Sequence, residues 1–274
     1  MVDQRNPSSD SASGPYTDVL GLRVSAINLP TAVGTIERWI AADARQYVCI
    51  CTVHGVMEGR RDPALQAVLN RAGMRTPDGM PLVWLSRRAG HRDVGRVYGP
   101  DLMLELCARS ATTGHRHYFY GGMPGVADEL ARRLRAKFPG LPVAGVGTPP
   151  MLATGERDTD EAIRQINASG ADVVWVGMST PKQDWWVANH RGDLRAPVLI
   201  AVGAAFDFHS GRVRQAPRWM QRNGLEWLFR LSRDPRRLWR RYAVCNSRFI
   251  AAVLREQLRH RLSRDEGPSV LPTG

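Results

Sequence analysis

Short apolar runs alternate with stretches of helical period along most of this chain, and few folds accommodate that alternation. The runs Tyr47–Thr52, His117–Tyr120, Leu141–Val146, Asp172–Val176 and Val198–Val202 are strand-length and close to continuously apolar. Strands of that kind are covered on both faces. Between them, Thr31–Ala42, Asp62–Arg71, Met80–Arg88, Pro100–Thr112, Val126–Phe138, Asp158–Ala168 and Lys182–His190 carry helical spacing. Asp62-Pro63 supplies an N-capping side chain followed by proline at the first helical position. Val19–Ile27 alternates weakly and reads as an opening hairpin. The expected fold class is α/β: a Rossmann-like, mainly parallel sheet with helices on both faces.

Charge divides the chain. From Arg212 to Arg264 there are fifteen arginines against three acids (Glu226, Asp234, Glu256), which accounts for the whole net charge of +12. The rest is neutral. Apolar residues in the same segment, among them Trp219, Trp227, Leu228, Leu231, Leu238, Trp239, Phe249 and Ile250, recur three or four apart, as on one helix face. Two or three amphipathic helices are expected, broken near Asp234-Pro235. A concentrated basic segment on a neutral body meets something anionic: nucleic acid, acidic phospholipid or a diphosphate. A solvated helix face is the plainer reading. The chain therefore divides into a disordered leader (1–17), a Rossmann-like domain (18–211), an arginine-rich helical appendage (212–262) and a disordered tail (263–274). No apolar run reaches the ~18 residues of a membrane-spanning helix. Cys49, Cys51, Cys107 and Cys245 lack zinc or CxxC spacing and read as reduced thiols of a cytoplasmic protein.

Open parallel sheets bind ligands in the turns after their strands. Thr52-Val53-His54-Gly55 offers a hydroxyl and an imidazole at one such end; an ordinary polar turn explains it equally well. Thr76-Pro77-Asp78-Gly79-Met80 reads most simply as a turn with a capping aspartate, yet an Asp beside a bound sugar would serve as general base. Gly121-Gly122-Met123-Pro124-Gly125 lets backbone approach a ligand and opens a helix whose free N–H groups suit phosphate, although it is neither a dinucleotide fingerprint nor a P-loop. In Gly177-Met178-Ser179-Thr180-Pro181-Lys182-Gln183-Asp184, Lys182 suits phosphate and Gln183 a sugar or uracil; strand-turn-helix chemistry is the alternative. Asp158-Thr159-Asp160 matches a metal-binding DxD pattern, but Asp158 with Glu161 fits a helix cap better. No metal site and no cofactor is expected.

Taken together, these segments resemble the WecG/TagA/CpsF group, glycosyltransferase family 26. The resemblance runs colinearly from about residue 18 to 255. It includes RVYGPD (Arg96–Asp101), GGMPG (Gly121–Gly125), VGMSTPKQ (Val176–Gln183), VGAAFDFHSG (Val202–Gly211), RQAPRW (Arg214–Trp219), GLEWLFRL (Gly224–Leu231) and PRRLWRRY (Pro235–Tyr242), besides Thr52–Gly55 and Pro77–Gly79. It implies an inverting, metal-independent transferase. The donor is a UDP-sugar of N-acetylmannosamine, N-acetylmannosaminuronic acid or glucose type. The acceptor is an undecaprenyl-diphosphate-linked saccharide for a cell-surface polysaccharide. By the same resemblance Asp78 is the catalytic base. Thr52, His54, Gly79, Arg96, Asp101, Gly121, Gly122, Gly125, Gly177, Lys182, Gln183 and Asp207 line the substrate site, and Arg230, Arg237 and Arg240 take the diphosphate. His54 stands where family members usually carry Asn, which leaves the donor sugar open. A peripheral place on the anionic inner face of the membrane follows, with homo-oligomers allowed and no nucleic acid. The rivals are a basic nucleic-acid-binding protein and a Rossmann-type NAD or SAM enzyme, for which the signature motifs are missing.

Overall fold

A computed structural model describes residues 14–151 and 153–265; among these, the side chains of 237, 240, 241 and 260–265 are not described. The leader up to residue 13 and the tail from 266 lie outside the described residues.

The chain opens with a hairpin, β1 (Tyr16–Val19) and β2 (Leu22–Ser25), paired antiparallel. Leu20 and Gly21 both have positive φ, 57° and 87°, as a two-residue hairpin turn of matching twist requires. The hairpin thus starts two residues inside the stretch expected to be leader, and Thr17 is buried. There follow α1 (Leu29–Ala41), β3 (Gln46–Cys51), α2 (Val53–Arg61), α3 (Pro63–Arg71), β4 (Met74–Pro77), α4 (Met80–Arg88), α5 (Gly99–Thr113), β5 (His117–Gly121), α6 (Val126–Lys137) and β6 (Val143–Gly147). Then come α7 (Asp160–Ala168), β7 (Val173–Gly177), α8 (Lys182–His190), β8 (Val198–Ala201), α9 (Ala205–His209), α10 (Arg218–Arg222), α11 (Glu226–Arg233) and α12 (Pro235–Asp265).

Six strands form one sheet in the order β4-β3-β8-β7-β5-β6, every neighbouring pair parallel. All their carboxyl ends therefore lie along one edge. Side chains alternate as the strand period demands. Tyr47, Cys49, Cys51, Val174, Val176, Leu199 and Ala201 face one layer, built from the hairpin, α2, α3, α7, α8 and part of α12. Val48, Ile50, Val173, Trp175, Val198 and Ile200 face the other, built from α1, α5, α6 and α9.

Three features depart from the expectation. Thr52–Gly55 is not a turn: Thr52 caps α2, its Oγ1 accepting from the Gly55 N–H at 3.2 Å. Gly55 and Gly59, each unfavourable in a helix by about 1 kcal/mol relative to Ala, conceal α2 in the sequence. β4 was not expected either, because Arg75 stands in it. The Arg75 guanidinium is buried and donates to the carbonyls of Arg23, Asn70 and Ala72, tying hairpin to sheet. The third departure concerns Asp158. The cap of α7 is Thr159, and Asp158 instead accepts from the Tyr120 hydroxyl and from Trp186 Nε1.

The break near Asp234-Pro235 falls where expected, between α11 and α12. α12 is one helix of 31 residues, packed on α2, with Phe249 and Ala252 buried in the core.

Candidate active site

The turns after β3, β4, β5, β7 and β8 meet along the carboxyl edge. The order of strands changes direction between β7 and β5, since β5 leads outward to β6 while β7 leads back to β8. Such a point is where open sheets leave a crevice.

Asp78 directly follows β4. Its N–H donates to the Cys51 carbonyl at 3.0 Å, which fixes it beside the tip of β3. A Cβ on Gly79, the next residue, would lie 3.9 Å from Val53, so Asp78-Gly79 and the start of α2 at Thr52–His54 form one cluster. The segment Arg96–Gly99 crosses above. The Val97 N–H donates to Pro77, and a Cβ on Gly99 would rest 3.4 Å from the Val202 carbonyl.

Arg96 is the hub. Its Nη2 donates to Asp78 Oδ1 at 3.1 Å and to Glu226 Oε2 at 2.6 Å. Tyr98 donates its hydroxyl to Glu226 Oε1 at 2.9 Å, and the Arg96 guanidinium lies 4.0 Å above the Tyr98 ring. Asp78 is buried, which pushes its carboxyl up to about 6; Arg96 and Arg230 oppose the shift and Glu226 adds to it. Burial alone would lower the Arg96 value, but the two carboxylates raise it and keep the guanidinium charged. The result is a carboxylate ionised at neutral pH yet a better proton acceptor than an exposed aspartate. That combination suits a general base.

The other expected residues are placed as follows. The His54 ring is in the first turn of α2, with Nδ1 3.9 Å from Glu58. Lys182 and Gln183 open α8. Gln183 is buried, its Oε1 makes no hydrogen bond among the described residues, and a Cβ on Gly203 would lie 3.2 Å from it, so it sits beneath the turn after β8. Asp184 is buried beside Cys49, and burial raises its carboxyl to about 7. Arg230 stacks on Phe208, its guanidinium 5.5 Å from the ring centre. Asp207 is half-buried on α9. Arg237 and Arg240 lie on α12, with side chains outside those described.

Five expected residues have structural work of their own. Asp101 is paired with Arg218, both carboxylate oxygens 3.0 Å from Nη1. Gly121 and Gly177 stand back to back: a Cβ on Gly121 would lie 2.6 Å from Gly177, and one on Gly177 would lie 2.4 Å from the Phe206 ring. Gly122 and Gly125 have φ of 75° and 81°, and Gly125 caps α6. With Arg133, Gly211 and Arg212, Gly125 lines a cleft of about 460 Å³. A smaller cleft of about 280 Å³, between Arg157, Asp158 and His190, lies at the far end of α8 from Gln183. Among the described residues, no three His, Cys, Asp or Glu side chains are grouped to hold a metal ion.

Two members of the cluster, Tyr98 and Glu226, lie outside the expected set. Tyr98 sits inside RVYGPD, and Glu226 is one of three acids in an arginine-rich segment. An acid standing alone among so many cations is the one signal in the sequence that would have marked it.

The family model described as "Glycosyl transferase WecG/TagA/CpsF family" matches residues 17–263. A protein of Bacillus spizizenii described as "N-acetylglucosaminyldiphosphoundecaprenol N-acetyl-beta-D-mannosaminyltransferase" is 32% identical over 200 residues, covering 73% of this chain and 75% of its own. A Bacillus subtilis protein of the same description is 30% identical over 190 residues, covering 69% and 72%. With a buried carboxylate at the strand ends of a parallel sheet and a match along nearly its whole length, this chain belongs to the WecG/TagA/CpsF family of glycosyltransferases.

Proposed function

We propose that the protein moves an N-acetylmannosamine-type sugar from a UDP-sugar onto an undecaprenyl-diphosphate-linked saccharide, with inversion and without a metal. N-acetylmannosaminuronic acid and glucose are the other donor sugars in view. The observation that carries the reading is Asp78, a buried carboxylate at the strand ends, held by Arg96 and raised in proton affinity. Asp78 accepts the proton of an acceptor hydroxyl as that oxygen attacks the anomeric carbon. The bond from that carbon to the UDP oxygen breaks on the opposite face. General-base help of this kind is worth about 10²–10⁴ in rate. Negative charge grows on the departing diphosphate, and arginine suits it because its planar fork donates in pairs and stays ionised. Arg230 is close enough to Asp78 to lower its proton affinity, so positive charge is available at the site.

The acceptor's lipid places the reaction at a membrane surface. Among the described residues no helix is long and apolar enough to cross a membrane. On α12, however, Trp239, Ile250, Leu254 and Leu258 are exposed and spaced to share one stripe. With the arginines beside them, they form a surface suited to lying at an anionic headgroup layer. The test is UDP release from a panel of UDP-sugars, with a lipid-diphosphate N-acetylglucosamine acceptor and excess chelator. Acceptor-dependent release from one donor supports the reading; no release from any donor, or a strict requirement for added divalent cation, defeats it.

A further inference from the structure

We infer that Glu226 is a positioning residue: by gripping Arg96 and Tyr98 it locks the α10–α11 arm onto the core and fixes the Arg96 guanidinium against Asp78. This rests on the reading of Asp78 as the base. The core alone gives Arg96 one carboxylate, Asp78. The arm supplies the other. Arg96 Nη2 is shared between Asp78 at 3.1 Å and Glu226 at 2.6 Å, with side-chain exposures of 17%, 11% and 14% for Arg96, Asp78 and Glu226. Tyr98 holds the second Glu226 oxygen and closes the bracket. Residues 130 positions apart in the chain are thereby joined through a largely buried ion pair.

The chemical need for the bracket follows from the arrangement. An arginine free to turn both amines toward Asp78 would form a forked pair with it and quench its basicity. Arg96 Nε and Nη2 both donate to the same Asp78 oxygen, Oδ1, at 3.3 and 3.1 Å, and Nη2 is shared with Glu226; held so, the guanidinium does not span both carboxylate oxygens and leaves Oδ2 for an incoming hydroxyl. The groups acting on Asp78 are Arg96 from the segment before α5, Glu226 and Arg230 from α11, Tyr98 above Arg96, and Cys51 at the tip of β3. Glu226 is the one other carboxylate among them, so it sustains the proton affinity that Arg96 and Arg230 lower.

The experiment compares wild type with Glu226→Gln, Glu226→Ala and Tyr98→Phe, on full-length protein. Two readouts are taken: amide hydrogen exchange of residues 218–233, and the pH profile of kcat/KM for UDP release. Glu226→Gln keeps the shape and a carbonyl for Arg96 but not the charge. Its acid limb should move to lower pH, and the exchange of the arm should stay near wild type. Glu226→Ala should lose the arm's protection and about 10- to 100-fold in kcat/KM, the scale of a misplaced catalytic group. Tyr98→Phe should fall between. An acid limb that stays put in Glu226→Gln, or unchanged arm protection in Glu226→Ala, overturns the inference. If wild type releases no UDP from any donor, the proposed function fails instead, and arm exchange in Glu226→Ala still judges the lock.

Discussion

Asp78→Asn should inactivate the enzyme and, at neutral pH, stabilise it. The folded-state carboxyl is raised from 3.8 to about 6, mainly by burial. A carboxylic acid whose folded value lies above its unfolded one holds its proton longer when folded. Between pH ~4 and ~6 the native state therefore binds more protons, and stability falls as pH rises through that window. Above it the full penalty for a buried charge is present. Two units at about 1.4 kcal/mol each give roughly 3 kcal/mol. Asparagine is isosteric, neutral, and still offers an oxygen to Arg96, which keeps Glu226 as its counterion. Urea unfolding at pH 8 and pH 4 measures the effect. The variant should exceed wild type by up to about 3 kcal/mol at pH 8 and match it near pH 4, while turnover falls about 10²–10⁴-fold. A variant less stable than wild type at pH 8 would show that the Asp78–Arg96 pair is a net stabilising element, and the case for a strained, proton-hungry carboxylate would collapse.

Gly177→Ala should destabilise by about 1–3 kcal/mol, because the added methyl meets the buried Phe206 ring at 2.4 Å; thermal unfolding at pH 7 reads it directly. Arg218→Ala should alter stability by less than about 1 kcal/mol, since Arg218 is 65% exposed and its pair with Asp101 is solvent-screened; a larger loss in urea titration would mean that the pair anchors α10. The double variant Ile250→Asp, Leu254→Asp should lower co-sedimentation with anionic phospholipid vesicles at least about tenfold, each lost apolar insertion being worth roughly 1.5–3 kcal/mol, and leave the urea midpoint unmoved.

Much of the fold was legible because β3, β5, β7 and β8 are buried on both faces and carry little but apolar side chains. The start of α8 was legible to the residue, and the end of α3 likewise. What stayed hidden was hidden by side chains serving distant partners. Arg75 makes β4 look unlike a strand because its guanidinium answers carbonyls of Arg23, Asn70 and Ala72, a need invisible in the local pattern. At the site, Arg96 came in only through the family resemblance; Asp78 and Thr52 lie in short strand-end motifs, which local spacing can express. Glu226 could not be found that way. Its partners are 128 and 130 residues away, and only folding brings the arm across the strand ends. Gly121 and Gly177 show the converse: glycines that look like ligand cradles are explained at least in part by two strand ends packed back to back beneath Phe206.

One carboxylate serving as base permits a single displacement and no covalent intermediate. The most direct test is the anomeric configuration of the first-formed product, read by proton NMR from wild type and an α-linked UDP-sugar donor with its lipid-diphosphate acceptor. The account predicts a β-linked product. An α-linked product would require a second displacement or a same-face mechanism, and neither is compatible with Asp78 acting as the base.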